Sequence, residues 1–267
     1  MWRFPLRLRA ELLRARCAQA LRGKAKQTLI LRLEPDGEAN LSVPSGTEHA
    51  PTTQSEAELL DMVQASAAPV VWIGGSEPLL HPAIGKLARR IVDCGRTVFL
   101  ETDGFYLRQR IHEFRPVSRL FLTLKFYGLQ LSHDIRAGRA GAFERAVEGM
   151  RTAKLSGFLI CAHALIDERT NLDEMAQLRE QLLGMDADGL LVSAAPGALN
   201  AANRERGSLE RKLHEARKLI GNRGWEAFSR LMVTGARDKQ DTAGRARESG
   251  QAAQQAAEVR EEGVQGP

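Results

Sequence analysis

A chain of 267 residues that is 43% hydrophobic can bury one sizeable core, and its formal net charge of +5 favours acidic partners without choosing among anionic lipid, nucleic acid and a phosphorylated ligand. No apolar run approaches the roughly 18 residues of a spanning helix, and the arginine-rich amino end lacks the apolar core of a secretory signal, so a cytoplasmic protein is expected. The three cysteines, Cys17, Cys94 and Cys161, are odd in number and widely scattered, which argues against a disulfide framework and against any closely spaced metal motif.

Residues 5 to 21 place Leu8, Leu12, Leu13, Cys17 and Leu21 along one helical face ringed by Arg7, Arg9, Arg14 and Arg16. Two readings stand: a helix packed under the fold, or a foot on an anionic membrane surface, which would make the protein peripheral to the inner face of the membrane. "TLILRLE" (28–34) reads as a buried strand. After a polar loop, Ser55 and Glu58 form a capping-box pattern that opens the helix "EAELLDMVQA". "PVVWIG" (69–74) is the next strand, followed by a helix from Pro82 to about Cys94, the strand "RTVFLET" and a short helix from Phe105. "RLFLTLKF" leads to the helix "GAFERAVEGMRTAKLSG", "FLICAHALI" to the helix "NLDEMAQLREQLLGM", and "DGLLVSAA" is a sixth strand. This alternation implies a parallel sheet with right-handed crossovers, closed as a partial barrel or open as a doubly wound sheet. In both, ligands meet the carboxyl ends of the strands. The expected divisions are an amino-terminal helix over 1–26, a partial barrel over 27–198, a helical extension over 199–234 and a disordered tail over 235–267, where large apolar residues are nearly absent.

The stretch "VVWIGGSEPLLHP" (70–82) breaks from a strand into a glycine-rich turn. Gly74 and Gly75 let backbone approach a ligand and offer backbone groups to an ammonium or a carboxylate, but a tight connection without a ligand explains the pair equally well. Glu77 reads either as a site carboxylate or as a solvated loop acid; Glu77, Glu101 and Asp103 are the carboxylates expected at the mouth. His81 before Pro82 reads as a helix-start cap and His133 with Asp134 as a structural pair, while His163 reads either as pointing into the barrel mouth or as a satisfied core histidine, with no role assigned. Basic residues are not interleaved with aromatics, which form 5% of the chain, so a nucleic-acid module is not expected.

"GGSEPLLHPAI" resembles the Gly-Gly-Glu-Pro segment of radical S-adenosylmethionine (SAM) enzymes. The order of "RFPLRLRAELLRARCAQALRGKAKQTLILRLEP", "AFERAVEGMRTAKLSGF" and "MDADGLLVSAAPG" is similar to the branch that contains the adenosylhopane-forming enzymes of hopanoid biosynthesis. The resemblance implies an α/β fold, a partial (β/α)6 TIM-like barrel of the radical SAM type. It also implies a cofactor site at Gly74, Gly75, Ser76, Glu77, Pro78, Thr102 and Asp103. Family members carry Cys-x3-Cys-x2-Cys after the first strand, whose thiolates hold a 4Fe-4S cluster. Aligned through Asn40-Leu41, those positions are Ala39, Val43 and Gly46, none of which can bind iron, so no metal ligand is expected there and the cluster is expected to be absent. Ser76 replaces the second glycine of the tetrad, "TDG" stands for Thr-Asn-Gly, and Tyr127-Gly128 stands for an Asp-Gly pair, so only weak binding of SAM is expected.

Two functions follow. The first is a degenerate radical-SAM-like protein acting as a ligand-binding or scaffold subunit. The alternative is an active radical SAM or SAM-dependent enzyme with other cofactor ligation, linked to hopanoid or lipid metabolism.

Overall fold

The structure, a computed structural model, describes residues 2–22, 28–35, 53–198 and 203–232. In chain order it runs α1 (Leu6–Arg22), β1 (Ile30–Leu33), α2 (Glu56–Ala65), β2 (Val70–Ile73), α3 (Ile84–Asp93), β3 (Thr97–Thr102), a short α4 (Leu107–Arg110), β4 (Leu120–Phe126), α5 (Gln130–Ala137), α6 (Ala142–Leu155), β5 (Leu159–Ile166), α7 (Leu172–Gly184), β6 (Gly189–Ala194) and α8 (Asn203–Lys218). A last helix, α9, covers residues 223–232. The strands lie in one six-stranded sheet in sequence order, each pair of neighbours parallel. A doubly wound sheet reverses its strand order at a switch point, and this sheet does not, so the fold is a half-barrel.

Local chemistry sets the boundaries. Ser55 accepts from the Glu58 amide while the Glu58 carboxylate accepts from the Ser55 amide at 2.8 Å, the reciprocal cap expected for α2. Pro78–Leu80 forms a 3-10 turn, so α3 begins at Ile84 rather than at Pro82. His81 keeps a capping role: its Nδ1 accepts from the Ala83 amide and its Nε2 meets the Gln54 carbonyl. The short helix expected from Phe105 starts at Leu107. Nothing in the sequence reading anticipated α5, whose eight residues hold only one apolar pair at helical spacing, Leu131 and Ile135, too short a pattern to mark a helix; both face outward and only His133 is buried.

The inner face of the sheet carries an aromatic stack. Trp72, Phe99 and Phe121 are register partners on β2, β3 and β4, with ring centroids 5.6 and 4.6 Å apart and planes within 13°. Trp225 and Phe228 of α9 pack against this stack, Phe228 at 5.0 Å from Phe99 and Trp225 edge-on at 6.2 Å from Phe121. Thus α8 and α9 share one apolar core with the strands. The amino end joins the same core. Trp2 is buried, Asn222 donates to the Trp2 carbonyl at 3.0 Å, and Phe4 meets Trp225 edge-on at 4.9 Å.

The structure divides the apolar face expected on α1. Leu8 and Leu12 are buried, and Glu11 binds Arg119 and Thr97 at the start of β3, whereas Leu13, Cys17 and Leu21 are exposed. Leu8, Leu12 and the half-buried Ala15 pack on the core, so the apolar side of α1 is split between a packed edge and an outward one. The segment 235–267 lies outside the described residues. Among the described residues, no helix is long and apolar enough to cross a membrane.

Candidate functional site at the barrel mouth

The glycine-rich turn leaves β2 at the carboxyl edge of the sheet and folds toward β3. Gly74 donates to the Leu33 carbonyl at 2.9 Å. A methyl group at Gly74 would come within 3.0 Å of both a Glu101 carboxylate oxygen and the Trp72 indole nitrogen, so a hydrogen at this position is what lets the turn close on Glu101. Gly75 has φ of +105°, the left-handed region expected of glycine. Ser76 does not. Among the described residues only Asp186 is a non-glycine residue with positive φ, so the serine that replaces a glycine of the tetrad sits without left-handed strain. The Ser76 carbonyl accepts from Lys125 Nζ at 2.9 Å, so an ammonium does meet this turn, and it belongs to the chain itself.

Glu77 is buried, not a solvated loop acid. Its carboxyl accepts from the Leu79 amide at 3.0 Å, from Thr102 Oγ1 at 2.8 Å and from the Asp103 amide at 2.9 Å, pinning the turn to the end of β3. Burial first, and then the neighbouring Asp103 carboxylate, raises its pKa to about 8. Pro78 is buried as the first residue of the 3-10 turn, and Asp103 accepts from the Phe105 amide at 2.8 Å. The fold therefore gathers Gly74, Gly75, Ser76, Glu77, Pro78, Thr102 and Asp103 into one place, with Glu77 as the clamp.

Above the aromatic stack, the inward positions of β3, β5 and β6 turn polar. His163 Nδ1 lies 2.5 Å from Glu101 Oε1, and His163 Nε2 lies 2.7 Å from Ser193 Oγ. Burial, which alone raises a carboxyl pKa, is outweighed at Glu101 by the His163 imidazole together with Lys125 and Arg32, and the group is held at about 2. Tyr127 is half-buried, and burial, followed by Glu101 and Asp167, raises its phenol. Tyr127, Lys125, Arg136, Arg139 and Asp103 line a cavity of about 450 Å³ beside this layer. Arg136 is paired with Asp167 at 2.8 Å, while Arg139 lies 4.1 Å over the Phe105 ring. Trp72 Nε1 and Thr123 Oγ1 are buried in the same region without a hydrogen-bond partner among the described residues.

The histidine pair expected to be structural is so. His133 Nδ1 accepts from the Tyr127 amide at 3.3 Å, and Asp134 accepts from the Gly141 and Phe143 amides, capping α6. The set at Glu101, His163 and Ser193 is what sequence reasoning missed. Its signal was the inward phase of the strands, Phe99 to Glu101 and Leu191 to Ser193, read across strands instead of along one.

The cysteines do not fit a thiolate-held cluster at this mouth. Cys17 is exposed on α1, Cys94 is exposed at the carboxyl cap of α3, and Cys161 is buried within β5 with its thiol pushed well up by burial and then by Asp188. The chain has no fourth cysteine. Among the described residues, no group of three or more His, Cys, Asp and Glu side chains is placed to hold a metal ion. Positions Ala39, Val43 and Gly46 lie outside the described residues.

Six parallel strands in sequence order, with a glycine-turn clamp and a polar layer at their carboxyl ends, define a half-barrel with its candidate site at the mouth. A model of the radical SAM superfamily matches residues 41–182, and the chain belongs to that superfamily. It is 30% identical over 147 residues to the AdoMet-dependent heme synthase of Methanosarcina barkeri, covering 54% of this chain and 41% of that protein. It is 25% identical over 140 residues to the Pre-heme d1 synthase of Dinoroseobacter shibae, covering 52% of this chain and 34% of the relative. The chain thus spans less than half the length of these relatives. They are named for heme synthesis rather than hopanoid chemistry, and they give the expected hopanoid branch no support. Among solved structures, Streptococcus suis SuiB bound to S-adenosylmethionine matches with a TM-score of 0.51 at 12% identity, over 67% of this chain and 42% of that one. SuiB bound to its precursor peptide SuiA matches with a TM-score of 0.54, over 76% and 48%. At this identity the likeness is one of fold.

Proposed function

We propose that this chain is a SAM-binding enzyme of the radical SAM superfamily whose cofactor chemistry does not depend on a cluster held by its own cysteines. The observation that carries the reading is the Glu77 clamp, which brings the turn after β2 and the end of β3 together beside an open cavity. A relative named as AdoMet-dependent and a fold neighbour bound to S-adenosylmethionine support the choice of ligand. Lys125, Arg136 and Arg139 give the cavity a cationic rim, which suits a substrate carrying carboxylate groups. No cluster is assigned to the chain, because its three thiols stand apart from the mouth.

A second reading, a ligand-binding or scaffold subunit without catalysis, is favoured by one contact. Lys125 already occupies the Ser76 carbonyl, where an incoming ammonium would bind. Calorimetric titration with S-adenosylmethionine tests both readings. The enzyme reading expects measurable binding, tightened by about tenfold in Lys125→Met, which removes the competing ammonium, and consumption of the cofactor under anaerobic reducing conditions. Binding without consumption favours the subunit. No binding at millimolar ligand in either protein overturns the enzyme reading and leaves the scaffold subunit.

A further inference from the structure

We propose that Glu101, His163 and Ser193 form a carboxylate–imidazole–hydroxyl relay that makes Ser193 a nucleophile toward acyl-type electrophiles, an activity separate from anything S-adenosylmethionine supplies. The three residues come from the carboxyl-terminal halves of β3, β5 and β6. Because β4 separates β3 from β5, the Glu101–His163 contact spans the inside of the half-barrel rather than running along one strand pair.

The proton positions follow from the partners. An ionised carboxylate only accepts, so Nδ1 carries the proton toward Glu101, and in the neutral ring Nε2 presents its lone pair to Ser193. The Ser193 hydroxyl has one proton and two acceptors in reach, Nε2 at 2.7 Å and the Ala194 carbonyl at 3.3 Å. The shorter contact directs that proton to the imidazole, the arrangement a general base requires. When the ring is doubly protonated, its Nε2–H donates to Ser193 and the hydroxyl proton turns to Ala194, so both protonation states are accommodated without movement of heavy atoms.

Burial is graded in the order a nucleophile needs. Glu101 and His163 are buried, and Ser193 is partly exposed at the mouth. The edge of the Trp72 ring holds the imidazole from the side, centroid to centroid 5.4 Å. A core histidine is satisfied by any partner on each ring nitrogen; here the outward partner is a hydroxyl that is itself partly exposed, which is what separates a relay from a buried pair.

The chemistry closes without an oxidant or a metal. Ser193 Oγ attacks the acyl carbon of an ester, forming an O–C bond as the bond to the leaving alkoxide breaks. The hydroxyl proton passes to Nε2 and from there to the alkoxide. Water then attacks the acyl-serine by the same route, releasing the carboxylic acid.

The test uses the full chain and a fluorophosphonate probe, read by intact mass and peptide mapping. Expected is one phosphonyl adduct on Ser193 with loss of fluoride, none in Ser193→Ala, and labelling slowed by about a hundredfold in His163→Gln. Hydrolysis of p-nitrophenyl acetate should fall at least about tenfold in Ser193→Ala, which removes one oxygen at a partly exposed position and leaves the thermal midpoint close to wild type. The wild-type result alone decides the matter if the histidine variant does not fold. Absence of a Ser193 adduct in folded wild-type protein, or equal labelling and ester hydrolysis in Ser193→Ala, overturns the proposal.

Discussion

Replacing Glu77 by glutamine isolates the stability that a neutral acid lends to the mouth. The folded carboxyl holds its proton up to about pH 8, whereas in the unfolded chain it releases it near the ordinary 4.5. Between those values the folded state binds the extra proton, so stability falls as pH rises from about 4.5 to about 8 and is flat above. At about 1.4 kcal/mol per pH unit, the loss between pH 5 and pH 9 is about 4 kcal/mol. His133 titrates in part of the same window with the opposite sign. Burial lowers its folded pKa, so the unfolded chain takes the proton first and stability rises with pH through that range. Comparing wild type with Glu77→Gln cancels this contribution. Glutamine can donate to Asp103 as the neutral acid does, but its amide nitrogen cannot accept from the Asp103 amide, which costs about 1 kcal/mol at every pH. Urea unfolding at pH 5, 7 and 9 reads the outcome, since a 4 kcal/mol change moves the midpoint by more than about 1 M. The variant should be less stable than wild type at pH 5 and more stable at pH 9. Parallel pH curves for the two proteins would mean that Glu77 is ionised throughout and that the clamp does not work as described.

Two further outcomes are expected. Trp225→Ala should cost about 3–5 kcal/mol in urea unfolding, because the fully buried indole fills the inner face against Phe99 and Phe121; a loss under about 1 kcal/mol would show that α9 does not close the barrel. A colorimetric thiol reagent should find two fast cysteines, Cys17 and Cys94, with Cys161 reacting only on unfolding; three fast thiols would contradict the burial of β5.

The strand-helix alternation could be read directly from the chain, because buried parallel strands are continuous apolar runs and Ser55 and Glu58 announce the first helix. The sequence of crossovers did not by itself choose between half-barrel and doubly wound sheet; strand order did. The helix α5 escaped notice because eight residues with one apolar pair are too short to mark a helix, and the apolar side of α1 left packing and membrane readings open because periodicity does not say which of its residues meet the fold; Leu8 and Leu12 do. At the mouth, the turn residues were found through their glycines and proline, which punctuate a chain. The role of Glu77 was not, since its partners lie 25 and 26 residues away on another strand. The relay was harder still. Glu101, His163 and Ser193 are separated by 62 and 30 residues, and each looks ordinary in its own strand. Convergence of this kind is a property of barrel closure, which no local window of sequence contains.

The clasp between Trp2, Phe4 and the helix that begins beyond Asn222 has a consequence for how the molecule is made. Residues 2 and 222 are 220 positions apart, yet each completes the other beneath the aromatic stack. On a ribosome adding about 5–20 residues per second, the early aromatics wait roughly 10 to 40 seconds for their partners. Trp72, Phe99 and Phe121 are made before Trp225 and Phe228, the side chains that cover them, so until α9 emerges the inner face of the strands is an uncovered apolar surface. The half-barrel therefore closes its inner face only once α9 has been made.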